Sequence, residues 1–387
     1  MHPITVVLGK EIRDARRDKR SVLSAFLFPI FAPVMVYFML TAIIELRTDA
    51  EKITIPIQGG ERAPVLIQWL QEKDVKATEF TGDARAVVKD KEEKVVLIIP
   101  ENYQQRLSEL RTVRIEVVSD SSRTDAQPVI ARVYQLLREY NGEIASLRLI
   151  TRGVSPEVMR VIVGENVDVA SQQQRTAAAL NFIPLYIIMA AFVAGMGIAV
   201  DSTAGERERK TLEPLLINPI ERHYIVIGKW IAASLFSALG MVMTLILCVM
   251  AMLHVPLDQI GLQFSVSPVQ VMLMIIATLP LALLATSMQL LLGMFAKSFK
   301  DAQSYIGFLI LLPVVPSMYM MFNPVAMQDW MFAVPMLGQH LLLVEVLGGK
   351  SVPLIAYFYS ALSCLVLGMA FVLITARLFK RESIING

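Results

Sequence analysis

Charged side chains are concentrated in one short stretch that lies between two long apolar runs. Six of the eight residues from 206 to 213 are ionised at pH 7. Glu206 precedes Lys210 by four positions, which is the favourable order for an ion pair on one helix face. The chemistry that this pattern predicts is recognition rather than catalysis: a short amphipathic helix whose charged face meets water or a partner protein.

Apolar and helix-starting residues follow directly. Leu212, Leu215 and Leu216 have the i, i+3, i+4 spacing of a short apolar stripe. Asn218 is a favourable N-cap, and Pro219 would then occupy the first position of a new helix. The pattern predicts a helix–break–helix hairpin on a membrane surface. The alternative is a solvated loop that only joins two spans.

Patterns that would support catalysis or ion coupling are absent from the sequence. Gly349-Lys350-Ser351 matches the end of a Walker A motif, but residue 344 is Val where the motif needs Gly. The predicted spans carry no charge in their interiors, where ion-coupled carriers usually place ionisable groups. Cys248 and Cys364 lack a metal-like spacing. We therefore expect no catalytic residue, no metal site and no cofactor bound by this chain itself.

Hydroxyl and amide side chains are the polar groups that remain deep in the predicted spans. Most are expected to form hydrogen bonds between helices, and a minority to line a substrate path. The residues assigned to that path are Ser234, Ser237, Thr286, Ser287, Gln289, Gln303 and Ser304.

Composition defines the class of protein. Of the 387 residues, 55% are hydrophobic and 18% are charged, and several apolar runs exceed the roughly 18 residues that indicate a membrane helix. The net charge of +2, without basic residues interleaved with aromatics, argues against a nucleic-acid partner. We expect an integral membrane protein in a lipid bilayer.

The elements that position the charged stretch form an α-helical polytopic membrane protein of six spans with an inserted α/β domain. Fifteen Lys and Arg residues lie in the segments predicted to be inside, against only Lys350 in the short outer loops, which places both termini in the cytoplasm. The predicted segments are a cytoplasmic amphipathic interfacial helix (1–20), the first transmembrane helix (21–44), an extracytoplasmic α/β domain (45–176), the second transmembrane helix (177–200), a cytoplasmic charged hairpin (201–224), transmembrane helices three to six (225–376) with a broken or re-entrant outer segment at 323–350, and a cytoplasmic tail (377–387).

The order of residues in the charged hairpin resembles a known family. Gly-Glu-Arg-Glu-Arg-x-Thr-Leu-Glu-x-Leu-Leu-x-x-Pro, from Gly205 to Pro219, is similar to the cytoplasmic coupling segment of type-2 ABC exporter permeases. Lys210 departs from the pattern, since Gly is more usual there. The plan of the chain is similar to that family over essentially its full length. The large α/β domain after the first span resembles the NatB-like, sodium-extrusion-type membrane subunits.

The resemblance implies a membrane complex of several subunits. It implies a homodimer of this chain in the bacterial cytoplasmic (inner) membrane, with separate ABC ATPase subunits that bind ATP and Mg²⁺ and drive the coupling helix. It also implies which residues would dock on the ATPase or pack beneath it: Gly205, Glu206, Arg207, Glu208, Thr211, Leu212, Glu213, Leu216 and Pro219.

Several functions stay open on the sequence alone. The cargo of such an exporter could be Na⁺, as for the sodium-extrusion type, or a hydrophobic drug, peptide or lipid. A channel or ion-coupled carrier is a second class, disfavoured by the missing charged relay. A third is a non-transporting protein whose external domain acts as a sensor and whose ATPase coupling transmits a mechanical signal.

Overall fold

A computed structural model describes residues 2–51, 53–123, 125–159, 162, 164, 167–211, 220–323 and 328–379. The chain forms two compact units. One comprises Met1–Leu40 with Ala170–Gly387, and the other comprises Thr41–Val169. The described helices are α1 (Pro3–Arg17), α2 (Lys19–Glu51), α3 (Pro64–Glu72), α4 (Ala84–Lys89), α5 (Tyr103–Ser108), α6 (Gln127–Ile150), α7 (Gln172–Ala179), α8 (Ile183–Val200), α9 (Arg222–His254), α10 (Pro268–Gly293), α11 (Phe299–Leu309), α12 (Leu311–Phe322), α13 (Asp329–Phe332), α14 (Leu337–Leu347) and α15 (Leu354–Leu378).

Long apolar helices dominate the first unit, as the composition predicts. Within the described residues, six helical stretches are long and apolar enough to cross a membrane, which confirms a polytopic membrane protein. A helix satisfies most of its backbone polar groups internally, as a lipid environment requires. The stretches are Ala25–Glu45, Ile183–Glu208, Arg222–His254, Pro268–Gly293, Phe299–Phe322 and Leu354–Leu378.

The fifth stretch is broken at Ile310, between α11 and α12. Pro313 lies three residues later and has no N–H to donate to the carbonyl of Leu309, while its ring crowds that carbonyl. The break therefore has a local cause in the sequence.

Two short helices, α13 and α14, form the described part of the segment that the sequence marks as broken. Between them Met336 adopts a left-handed backbone conformation, with φ of 70°. Helix α14 is buried along most of its length and packs against α7, α8, α10 and α15. Such shielding is what lets a short, interrupted helix persist beside apolar spans.

The second unit is an α/β domain built on a four-stranded sheet. Its strands are β1 (Thr54–Gln58), β2 (Lys76–Glu79), β3 (Val95–Ile98) and β4 (Glu116–Ser119), in the order β2-β1-β3-β4. The strand β1 pairs in parallel with β2 and β3, and β3 pairs antiparallel with β4.

Helices α3 and α6 cover the core of this unit. Ile55, Leu66, Leu97 and Leu136 are buried together there. Trp69 on α3 adds a polar tie, since its indole N–H donates to Glu143 on α6 at 2.8 Å. This apolar core holds the unit together without a disulfide, because both cysteines of the chain lie elsewhere.

Candidate functional site

The charged hairpin begins as a direct continuation of α8. Residues Asp201–Gly205 form a π-helical turn, and Glu206–Glu208 continue as one turn of α-helix. A π turn inserts one residue into the helical repeat and is frequent at functional sites. It rotates Glu206 relative to the faces of α8. The hairpin is therefore a rigid extension of a span for its first eight residues.

Glu206 is buried in a four-residue charge cluster, which we call the Glu206 cluster: Lys10, Glu11, Glu206 and Lys229. Lys229 Nζ lies 2.6 Å from Glu206 Oε2 and 2.9 Å from Glu11 Oε1. Lys10 contacts Glu206 and lies 3.0 Å from Glu11 Oε1. Lys229, Glu206 and Glu11 are 1%, 4% and 5% exposed. The buried Lys229 is paired with both buried carboxylates, and the partly exposed Lys10 supplies a second cation to them while also lying 3.5 Å from Asp14 Oδ2. Such pairing is the condition under which buried charges are tolerated.

The pKa values in the cluster follow from this mutual compensation. Burial alone would raise the pKa of Glu11, but the ammonium groups of Lys229 and Lys10 outweigh it and hold that pKa below its ordinary value. Burial alone would lower the pKa of Lys10, but Glu11 and Glu206 outweigh it and hold that pKa above its ordinary value. Both groups on α1 are therefore charged across the physiological range.

The cluster depends on the close approach of α1 to α9. Val7, Glu11 and Ala15 are the buried positions of α1, spaced four apart on one face. Val7 sits directly over Gly228, where an added Cβ would lie 2.6 Å from Val7 Cγ1. Glycine at this position thus permits the helix contact that brings Glu11 to Lys229.

Arg207 and Glu208 connect the hairpin to the turn between α10 and α11. The Arg207 guanidinium donates to the carbonyls of Ala296 at 2.8 Å and Met294 at 2.9 Å. Glu208 accepts from the backbone N–H of Phe299, the first residue of α11, at 2.7 Å. A cation at the end of one helix and an anion at the start of the next complement both helix dipoles. The hairpin thus caps both neighbouring helices.

The helix of the hairpin ends in a Schellman motif. Thr211 N–H donates to the carbonyl of Glu206 and Lys210 N–H to that of Arg207, both at 3.0 Å. Lys210 occupies the left-handed position, with φ of 57°, which glycine adopts most easily. Lys210, which stands where the family pattern usually has Gly, therefore occupies a position whose backbone conformation favours Gly.

Two expectations about charge were wrong. Glu206 does not pair with Lys210, because the helix ends there and Glu206 faces Lys10 and Lys229 instead. The spans are also not free of internal charge: Lys229 is buried within the third span. The physical reason is long-range pairing, since Glu11 and Glu206 supply the counter-charges from distant parts of the chain.

The predicted docking residues separate into an inner and an outer group. Gly205 and Glu206 are buried, Arg207 is half-buried, and Glu208 and Thr211 are exposed. Arg209 shares the outer edge, with its side chain 55% exposed and paired with Asp201 at 2.7 Å. The remaining predicted positions lie outside the described residues: Leu212, Glu213, Leu216, Asn218 and Pro219.

The residues predicted to line a substrate path fall in two places. The first set lies where α8, α9 and α10 pack: Ser234 and Thr286 hydroxyls are 2.7 Å apart, and Gln289 donates to the carbonyl of Phe192. Ser237 donates to the carbonyl of Ala191 at 2.5 Å. Ser287 is buried on α10, whereas Gln303 and Ser304 are exposed on α11. Most of these bonds end on helix backbones, and the assignment to a path stays a prediction.

The sequence reading missed Lys10, Glu11 and Lys229. One signal was present: Glu11 is an acid in the middle of the apolar face of α1, four residues from Val7 and from Ala15. A carboxylate in such a position needs a cation from another element. Lys229 in an apolar run is that cation.

Comparisons with known proteins agree with this architecture. The model of a family described as "ABC-2 family transporter protein" matches residues 19–377. The ABC transporter permease protein NatB of Bacillus subtilis (strain 168) is 25% identical over 383 residues, which cover 97% of each chain. These findings confirm the family resemblance drawn from the charged hairpin. With nearly the whole chain matched, this protein is a member of the ABC-2 transporter family.

Proposed function

We propose that this chain is the permease subunit of an ATP-driven exporter and that its charged hairpin receives movement from a separate ATPase subunit. One observation carries the proposal. The hairpin is bonded to α1 and α9 through Glu206, and to α10 and α11 through Arg207 and Glu208. A force applied to its outer edge would therefore reach four helices at once.

These bonds favour passing a displacement of the hairpin on to the helices, rather than breaking the contacts between them. Removing one partner from a buried ion pair typically costs about 3–5 kcal/mol, so Glu206 and Lys229 would move together. The outer edge, formed by Glu208, Arg209 and Thr211, is exposed and available to a partner. ATP and Mg²⁺ would bind the partner ATPase, whose closure would push this edge and rock the spans.

The assembly that we propose contains two copies of this chain and two ATPase subunits in the bacterial cytoplasmic membrane. The hairpin and both termini would face the cytoplasm, with the Thr41–Val169 unit outside. The excess of Lys and Arg in the inner segments supports this orientation. A relative described as a permease supports the ATPase partnership.

We propose Na⁺ as the cargo. The resemblance of the chain's plan to sodium-extrusion-type membrane subunits supports it, as does one atom: Gln289 Oε1 is buried where α8, α9 and α10 pack and has no hydrogen-bond partner among the described residues. Neutral oxygens are the ligands that replace water around a permeating cation. A hydrophobic drug, peptide or lipid is the alternative cargo.

Reconstitution tests this proposal. The chain and its ATPase subunit are incorporated into inside-out proteoliposomes, and uptake of ²²Na⁺ is followed with ATP, with a non-hydrolysable analogue and without nucleotide. Uptake that requires ATP hydrolysis and both subunits is the expected result. ATP hydrolysis without ²²Na⁺ uptake would reject sodium, and equal uptake without nucleotide would reject an ATP-driven exporter.

A further inference from the structure

A second site lies within the Thr41–Val169 unit, separate from the charged hairpin. A cavity of about 420 Å³ opens between α5, the segment 111–115 and α6. This volume falls in the usual range for small-molecule sites, about 300–1,000 Å³. The fold leaves this space although the helices on either side contribute to one apolar core.

The lining of the cavity is divided into an apolar part and a cationic part. Leu107, Leu137 and Ile144 supply apolar surface. Arg111, Arg148 and Arg152 supply guanidinium groups, and no carboxylate is among the described lining residues. Such a surface is complementary to a ligand that has an apolar body and a negative head.

The three arginines differ in how far their guanidinium groups are already bonded to other residues of the protein. Arg148 donates to the carbonyl of Leu107 at 3.3 Å and holds the wall of the cavity. Arg111 has an exposed ion pair with Glu109 at 3.4 Å, which is a weak interaction that a ligand can replace. No bond of the Arg152 side chain is found within the described residues, and it is exposed at the rim.

Two buried tyrosines add a hydrogen-bond donor. The hydroxyls of Tyr103 and Tyr140 face each other at 3.5 Å and both line the cavity. Only one hydroxyl hydrogen can be used within such a pair, so the other is left to donate to an acceptor. Burial and the bond to Tyr140 raise the pKa of Tyr103 well above its usual value, so the Tyr103 hydroxyl stays protonated.

We propose that this cavity binds an amphipathic anion: an apolar chain that ends in a carboxylate or phosphate head. The head would pair with Arg111 and Arg152 at the rim, and the chain would cover Leu137 and Ile144. Each methylene that the cavity removes from water would strengthen binding. The site does not depend on ATPase coupling, so it stands even if the proposed exporter activity does not.

The test uses the full chain in lipid nanodiscs and a decanoate analogue that carries a photoreactive diazirine. Labelled peptides are mapped by mass spectrometry, with decanoate, decanol, decyltrimethylammonium or inorganic phosphate as competitors. We expect labels between residues 103 and 152 that decanoate removes and the other three compounds do not. Equal competition by decanol or by phosphate alone would overturn the proposal, because the site would then recognise only one half of the ligand.

Two variants test separately the charge of the arginines and the open volume of the cavity. R111Q/R152Q is expected to raise the decanoate concentration needed for half-competition by about tenfold or more. The control R114Q/R138Q removes the same charge from exposed positions outside the cavity and is expected to change nothing. Ala145→Phe fills the cavity from α6 and should abolish labelling with all arginines kept. Unchanged labelling in both R111Q/R152Q and Ala145→Phe would overturn the assignment.

Discussion

Lys229 Nζ lies 2.6 Å from Glu206 Oε2, and both side chains are buried. Lys229 belongs to the third span and Glu206 to the charged hairpin, so this pair joins the two directly. Glu11 accepts from the same ammonium group at 2.9 Å and adds α1 to the junction. The junction makes a surface helix, a span and the hairpin one mechanical unit.

Substitution of Lys229 by Met should lower the free energy of unfolding by about 3–5 kcal/mol, because two buried carboxylates would share only Lys10. Thermal unfolding in detergent measures this. The double variant Glu206→Gln/Lys229→Met restores the charge balance and should recover part of the loss. Lys300→Met, at an exposed position, is the control and should change little. A Lys229→Met variant as stable as Lys300→Met would show that the cluster contributes nothing.

Substitution of Arg207 by Lys should uncouple ATP hydrolysis from transport. A lysine keeps the charge but cannot reach the carbonyls of Met294 and Ala296 with two parallel donors. We expect cargo moved per ATP to fall by about tenfold in proteoliposomes. Arg138→Lys makes the same exchange at an exposed position of the Thr41–Val169 unit and should keep the normal ratio. Equal ratios in the two variants would contradict a coupling role for Arg207.

Acid should weaken the Glu206 cluster in a defined direction. The pKa of Glu11 is lowered from its ordinary value of 4.5, so its contribution to stability is present above 4.5 and is lost as pH falls through the lower folded value. The pKa of Lys10 is raised from 10.5, so its contribution is lost only as pH rises beyond that. The difference in melting temperature between wild type and Glu11→Gln should therefore be constant from about pH 6 to pH 9 and shrink in acid. A difference that changes steeply near neutral pH would contradict this assignment.

Gly228 should not tolerate replacement by a residue that has a side chain. An added Cβ would lie 2.6 Å from Val7 Cγ1, so Gly228→Ala should displace α1 and cost about 1–3 kcal/mol. Adding Val7→Ala would remove the contact at 2.6 Å but leave Val7 Cβ 2.8 Å from the added Cβ, so it should restore only a small part of the loss. Gly307→Ala is the matched control, because nothing lies within 4 Å of its Cβ position, and it should be neutral or stabilising. Similar melting temperatures for Gly228→Ala and Gly307→Ala would argue against the close contact of α1 with α9.

The sequence predicted the elements of secondary structure that have a clear local pattern of apolar residues. Unbroken apolar runs predicted the helices that could span a membrane. The strand β2 carries no such signal, because three of its four residues from Lys76 to Glu79 are polar and none is buried, and only pairing with β1 makes them a strand.

The Glu206 cluster could be predicted only in part. The charge density of the hairpin indicated a functional segment, but the partners of Glu206 lie 23 and 196 residues away in the chain. No spacing rule connects such positions. Glu11 in the apolar face of α1 and Lys229 in an apolar span were each visible as an unpaired charge, and matching them required the packing of α1 on α9.

The central claim, that the outer edge of the charged hairpin meets the ATPase, can be tested by site-specific photocrosslinking in native membranes. The photoreactive residue p-benzoylphenylalanine is placed at Arg209, on that edge, and at Tyr134, an exposed residue of the Thr41–Val169 unit. We predict an adduct at position 209 that contains the peptides of an ATP-hydrolysing subunit with a Walker A motif, and no such adduct at 134. An ATPase adduct at 134, with none at 209 in the presence or absence of ATP, would contradict the account.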